Sequence, residues 1–186
     1  MHLRTGLAAA LFCLAIAGSA AADIEIHQQH RFEARPGATV VVDVSFHAVE
    51  VTAVPGDSVD VTVDVTVKGS GGSAKNVANQ LQPQFLVEGD KLIIRSSVKR
   101  GWSWKRVSAR GTVTISMPPG MNLSIDSSSG GTRISGDLGD AEVDFDASSG
   151  SLTVDGAMRD LNADISSGSV RVAVMRPLRK FSANAS

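Results

Sequence analysis

The residues best suited to contact chemistry are crowded into one segment, Lys99-Arg-Gly-Trp-Ser-Trp-Lys-Arg106, which holds both tryptophans of the chain. Trp102 and Trp104 are two apart, so on an extended backbone they share a face. Lys99, Arg100, Lys105 and Arg106 flank them. An indole joins an apolar body to a polar N–H, and it stacks on sugar rings or seats at lipid interfaces and partner surfaces. The segment therefore reads as a contact loop for a glycan, an anionic lipid or a protein partner. The competing account is a hairpin tip folded back on its sheet, with the cations solvated.

A second set is acidic. Asp126, Asp146 and Asp164 recur at about 20-residue intervals, and Asn184 follows in the same register. On stacked strands they would form one outward column. Carboxylates about 4.8 Å apart in water repel by about 0.9 kcal/mol, a repulsion that splaying into solvent relieves. A hard divalent cation could bridge them. The glycine-aspartate nonapeptide of calcium-loaded rolls is absent, so these are weak cation candidates, and solvated carboxylates near Arg133 or Arg171 are the plainer account.

Catalysis finds little to work with. Beyond residue 22 the histidines are His27, His30 and His47, and no cysteine remains. A hydrolase needs a nucleophile, a base and an orienting group, and no G-x-S-x-G stands in the chain. His27 and His30 are three apart and face opposite sides of a strand, which disfavours a shared metal. We expect no enzymatic activity, no cofactor and no metal.

The elements that must position these groups begin after a secretory signal. Arg4 precedes an apolar run from Gly6 to about Ala17, and Ala20-x-Ala22 supplies a cleavage pattern. Residues 1–22 are read as the signal and Asp23 as the mature start. The apolar run is too short to span a bilayer. Phe12 before Cys13 argues against lipidation. The chain is expected to be exported, to the periplasm or the cell surface, with no transmembrane span. That compartment disfavours nucleic acid as a partner.

Charge is segregated although the net value is only −1. Lys91 to Arg110 contains seven basic residues and no acidic one, whereas Met121 to Ile165 is strongly acidic. Such segregation bears on partners more than on fold.

Period-two alternation dominates the backbone pattern. Every odd position from Val59 to Val67 is valine and the even ones are polar, the pattern of a strand with one buried face. One short helix is expected near 73–82, with Val77, Ala78 and Leu81 on one face and Pro83 ending it. Residues 23–120 read as antiparallel strands around this helix. From 121 to 186 the chain repeats. Leu123-Ser-Ile-Asp-Ser-Ser-Ser-Gly130 is echoed by Val143-Asp-Phe-Asp-Ala-Ser-Ser-Gly150, Leu161-Asn-Ala-Asp-Ile-Ser-Ser-Gly168 and Phe181-Ser-Ala-Asn-Ala-Ser186. A period near 20 with recurrent glycines predicts a β-solenoid or β-roll in one all-β domain, 23–186. The inward columns are Leu123, Val143, Leu161, Phe181, then Ile125, Phe145, Ala163, Ala183, then Ser127, Ala147, Ile165, Ala185. Gly130, Gly150 and Gly168 suit a bend with positive φ. The last repeat stops in mid-rung. The expectation is therefore a longer reading frame or edge association of another chain with the C-terminal rung.

The runs SSSGGTRISGDLGD, DASSGSLTVDGAM and DISSGSVRV resemble a bacterial family of exported β-strand-repeat proteins, labelled "putative adhesin" or domain of unknown function. HRFEARPGATVVVDV, FLVEGDKLIIRSS and GTVTISMPPGMNLSID resemble its earlier strands, so the likeness covers roughly Phe32 to Ser186. The resemblance implies a solenoid-like fold in the envelope and no enzyme. The expected function is a non-catalytic, adhesin-like binding module. The alternative that the resemblance carries is a partner-binding component of envelope-stress signalling.

Overall fold

The computed structural model describes residues 23–69, 71–96 and 107–185. Residues 1–22, read above as a signal, and all of Lys99–Arg106 lie outside the described residues. Twelve strands form one curled sheet. They are β1 (Ile24–Glu33), β2 (Thr39–Val44), β3 (His47–Ala53), β4 (Ser58–Lys68), β5 (Gln84–Glu88), β6 (Lys91–Ser96), β7 (Ser108–Met117), β8 (Asn122–Asp137), β9 (Glu142–Ala157), β10 (Asp160–Ile165), β11 (Gly168–Val174) and β12 (Lys180–Ala185). The helix α1 spans Gly71–Leu81.

β8 and β9 run through a bend, which divides the sheet into two arms. The first arm is ordered β5-β6-β2-β8-β9-β10-β12, and the second β1-β4-β7-β3-β8-β9-β11. Inward side chains of both arms meet in one core.

Parallel pairing stacks the expected columns. Leu123 stands beside Val143 and Val143 beside Leu161, offsets of 20 and 18 residues, and Leu161 stands beside Phe181. Ile125, Phe145 and Ala163 form the next column. Large over small fills the narrow interior without overpacking. All are buried except Phe181, which is 54% exposed; Ala183, beside Ala163 on the last strand, is exposed too and does not extend the inward column. Alternation explains the rest of the core: Val59, Val61, Val63, Val65 and Val67 of β4 are all buried, and each is worth about 1.5–2 kcal/mol of transfer free energy.

Pairing within residues 23–120 differs from the antiparallel expectation. β1–β4, β4–β7 and β5–β6 are antiparallel. β2 and β3 are instead parallel to β8, with Val40 beside Leu123, Val42 beside Ile125 and Val51 beside Ile134. Thr39–Ala53 is therefore stacked like the later repeats, and β4 to β7 with α1 are inserted between it and β8. Local alternation cannot reveal such a partner, because the same pattern serves either strand direction.

The helix starts two residues before its expected Ser73. Ala74, Val77, Ala78 and Leu81 are buried at i, i+3, i+4 and i+7, and α1 packs on β1, β4 and β7. Nearby, the ring of His30 on β1 lies tilted against Phe85 of β5 with centroids 4.0 Å apart. These contacts cover the β1/β5 end of the stack.

At the bend, Gly130 and Gly168 have the expected positive φ, 136° and 152°. For Gly150 the reason is different: any Cβ would overlap the Gly130 carbonyl oxygen of the strand beside it. Ser129 donates its amide and its hydroxyl to the Ser45 carbonyl, at 2.9 and 3.2 Å, and ties this bend to β2.

Candidate functional site

The outward face of the first arm carries the acidic column. Cα register places Asp43, Asp126, Asp146 and Asp164 side by side on β2, β8, β9 and β10, with Asn184 on β12. Arg95 of β6 continues the row, beside Gln84 of β5, and donates from Nε to Asp43 Oδ2 at 2.9 Å. Asp126 has its pKa raised, first by partial burial and then by Asp43 and Asp146. Asp144 stands in the adjacent outward row beside Ser124 and Asn162, whose amide donates to it at 3.4 Å. Among the described residues no three His, Cys, Asp or Glu side chains converge to hold a metal ion. Strand spacing lines the carboxylates up without folding them around a common point.

Arg133 and Arg171 do not neutralise this row. They occupy the outward face of the second arm, where Arg133 faces Glu50 of β3 and Arg171 faces Thr153 of β9. The bend puts them on the other side of the core.

The histidines are not a solvated set. His27 Nδ1 lies 2.6 Å from Asp64 Oδ1 on the exposed face of β1 and β4. His30 turns to the other side, against Phe85, and burial lowers its pKa. His47 is completely buried, and its Nδ1 lies 3.2 Å from Ser96 Oγ, also buried. A serine nucleophile needs access to substrate and a base oriented by a third group. Here both residues are closed off from substrate, so the pair is a buried structural hydrogen bond.

Asp160 forms a further constellation that sequence reasoning missed. Arg159 Nε donates to it at 2.8 Å and Arg179 Nη2 at 3.0 Å. The two guanidinium groups cover the carboxylate, whose side chain is 8% exposed, and hold its pKa below the ordinary range. The recurrence of Arg at 159 and 179, just before β10 and β12, is the signal that could have exposed it. Beyond this clamp, Val174, Met175 and Phe181 leave an exposed apolar rim on β11, β12 and the chain between them.

The six Lys99–Arg106 contact candidates lie outside the described residues, between Ser96 of β6 and Val107 before β7. No helix among the described residues is long and apolar enough to cross a membrane.

The family model described as Toastrack DUF4097 matches residues 40–176. The chain belongs to that family. Its match begins at Val40, inside β2, so it takes in the early strands that pair with β8. This family is a domain of unknown function. No curated protein matches the chain. Among solved structures, it is similar to a "putative adhesin" from Bacteroides fragilis at 12% identity and a TM-score of 0.48. That likeness covers 78% of this chain and 62% of the other, so the chain spans less than two thirds of that protein's length. A "putative cell adhesion protein" from Clostridium sporogenes shows 9% identity and a TM-score of 0.36, over 75% of this chain and 72% of the other. A "putative lipid binding protein" from Parabacteroides distasonis shows 14% identity and a TM-score of 0.35, over 80% and 66%.

Proposed function

We propose that this Toastrack family member is a non-catalytic binding module of the bacterial envelope or cell surface, exported and cleaved after Ala22. Its stacked part is read as a β-solenoid of about 20 residues per rung, an unyielding scaffold for contacts made by outward rows and by the Lys99–Arg106 segment. The observation that carries the reading is the parallel register of β2, β8, β9 and β10, which sets Asp43, Asp126, Asp146 and Asp164 in one straight outward row. A flat, regularly spaced row suits apposition to an extended partner, whereas catalysis needs convergent groups. The Ser96–His47 pair, the arrangement nearest to a nucleophile and its base, is sealed in the core.

Trp102 and Trp104 supply the amphipathic contact in this reading, and the four flanking cations favour an anionic glycan or an acidic protein surface. The test is affinity capture from envelope extract with the wild-type protein and with a Trp102→Ala/Trp104→Ala variant. Capture of a glycan or surface protein that the variant loses, with unchanged melting, supports the reading. Capture of a defined inner-membrane protein would favour a signalling role instead. A large loss of stability in the variant would show the indoles to be core and would overturn their assignment as contacts.

A further inference from the structure

His47 opens β3 and is the one fully buried histidine among the described residues. Three elements converge on its ring. Ser96, the last residue of β6, places its hydroxyl 3.2 Å from Nδ1. Gly111 of β7 is the register partner of His47, and a Cβ at 111 would stand 2.7 Å from Nε2. Leu81, at the end of α1, approaches through its backbone. Only glycine lets β7 lie this close to the ring.

The pocket is built for a neutral imidazole. A protonated ring would carry two N–H donors and a charge in a pocket closed to water; Nδ1 meets Ser96 Oγ, and only the Leu81 backbone hydrogen-bonds the ring in the sense that favours its charged form. Burial pushes the pKa down to about 4, against a weaker opposing pull from the Leu81 backbone. Charged side chains on the surrounding elements are Asp43 on β2, Glu50 on β3, Lys91 and Arg95 on β6, Arg110 on β7, Lys75 on α1, Asp60, Asp64 and Lys68 on β4, and Asp126, Arg133 and Asp137 on β8. All are exposed or half-exposed, and the shift of the ring follows burial and the Leu81 backbone.

We propose that His47 is an acid-sensitive bracket: the neutral ring holds the end of β6 to the start of β7, and its protonation opens this junction before the rest of the fold. The sign follows from linkage. In the open junction the ring titrates near its ordinary value, about 6.5, and in the closed one near 4. Opening therefore becomes more favourable by up to about tenfold per pH unit as pH falls between these values, and is independent of pH above them. Ser96 and Gly111 flank Lys99–Arg106 in sequence, so acid would also loosen both ends of that segment. This consequence rests on the contact reading above; the opening does not.

Hydrogen exchange of the exported protein at pH 7 and pH 4.5, corrected for intrinsic rates, tests the bracket. Segments 91–96 and 108–113 should open about 10- to 100-fold more often at pH 4.5, while 122–127 and 142–147 change little. In His47→Gln the pH response of the first two segments should vanish. Asp160 also responds to acid, but its contacts lie on β10, at the other end of the stack. Should the variant fail to fold, NMR titration of the wild-type ring decides, with a midpoint well below 6.5 expected. A midpoint near 6.5, uniform loosening of all strands, or an unchanged response in His47→Gln would each overturn the proposal. Partner capture at pH 7 and 4.5 separately tests the consequence for Lys99–Arg106.

Discussion

Gly150 lies so close to Gly130 on the neighbouring strand that a Cβ at 150 would overlap the Gly130 carbonyl oxygen. The same crowding recurs one strand later, where Gly168 meets the Gly150 carbonyl. Gly150→Ala must push two paired backbones apart and should cost about 2 kcal/mol, read from denaturant melts. Gly72→Ala is the control. It is exposed in α1 with nothing within 4 Å of its would-be Cβ, and should stabilise by about 0.5 kcal/mol. Equal effects would show that the bend does not depend on close backbone approach.

Phe145 and Asp146 are neighbours in sequence on opposite faces. Phe145 is buried between Ile125 and Ala163, whereas Asp146 is exposed between Asp126 and Asp164. Phe145→Asp should destabilise by at least about 3 kcal/mol, because an unpaired carboxylate enters the core. Asp146→Ala should change stability little. Chemical denaturation of the two variants side by side checks the register.

The carboxyl of Asp126 titrates above its ordinary range, with burial as the larger cause and Asp43 and Asp146 as additional ones. Asp146→Asn should move its midpoint down by part of the shift only, because burial and Asp43 remain. Carboxyl NMR titration reads this directly. A full return to the ordinary carboxylate value would make Asp146 the sole cause.

Asp160 works in the opposite sense. Arg159 and Arg179 depress its pKa in the folded state, so its stabilisation is present above the unfolded carboxylate value and is lost as pH falls through the folded one. Asp160→Asn should lower the melting temperature at pH 7 and make no difference in strong acid. Thermal melts across that range check it, and a penalty independent of pH would show the contribution to be packing alone.

Alternation and recurrence made much of this protein readable from its residues. Strand faces have a period of two, so the valines of β4 and the columns through Leu123 and Ile125 could be assigned inward without knowing any partner. The 20-residue recurrence then set their parallel register. The His27 and His30 side chains diverge as strand geometry requires. Long-range pairing was another matter. Val40 and Leu123 share a column, but a whole inserted unit separates them in sequence, and nothing local distinguishes β2 from an antiparallel strand. Only the folded chain shows that Asp43 joins Asp126, Asp146 and Asp164, that the bend sends Arg133 and Arg171 to the other arm, and that Arg159 and Arg179 close on Asp160. His47 is the sharpest case. By type it belongs in water, and only the meeting of β6, β7 and α1 around it makes the ring part of the core. Side-chain period is a property of the backbone and is carried by neighbours in sequence. Stack order and burial depend on contacts between distant segments, whose free energy belongs to the assembled fold.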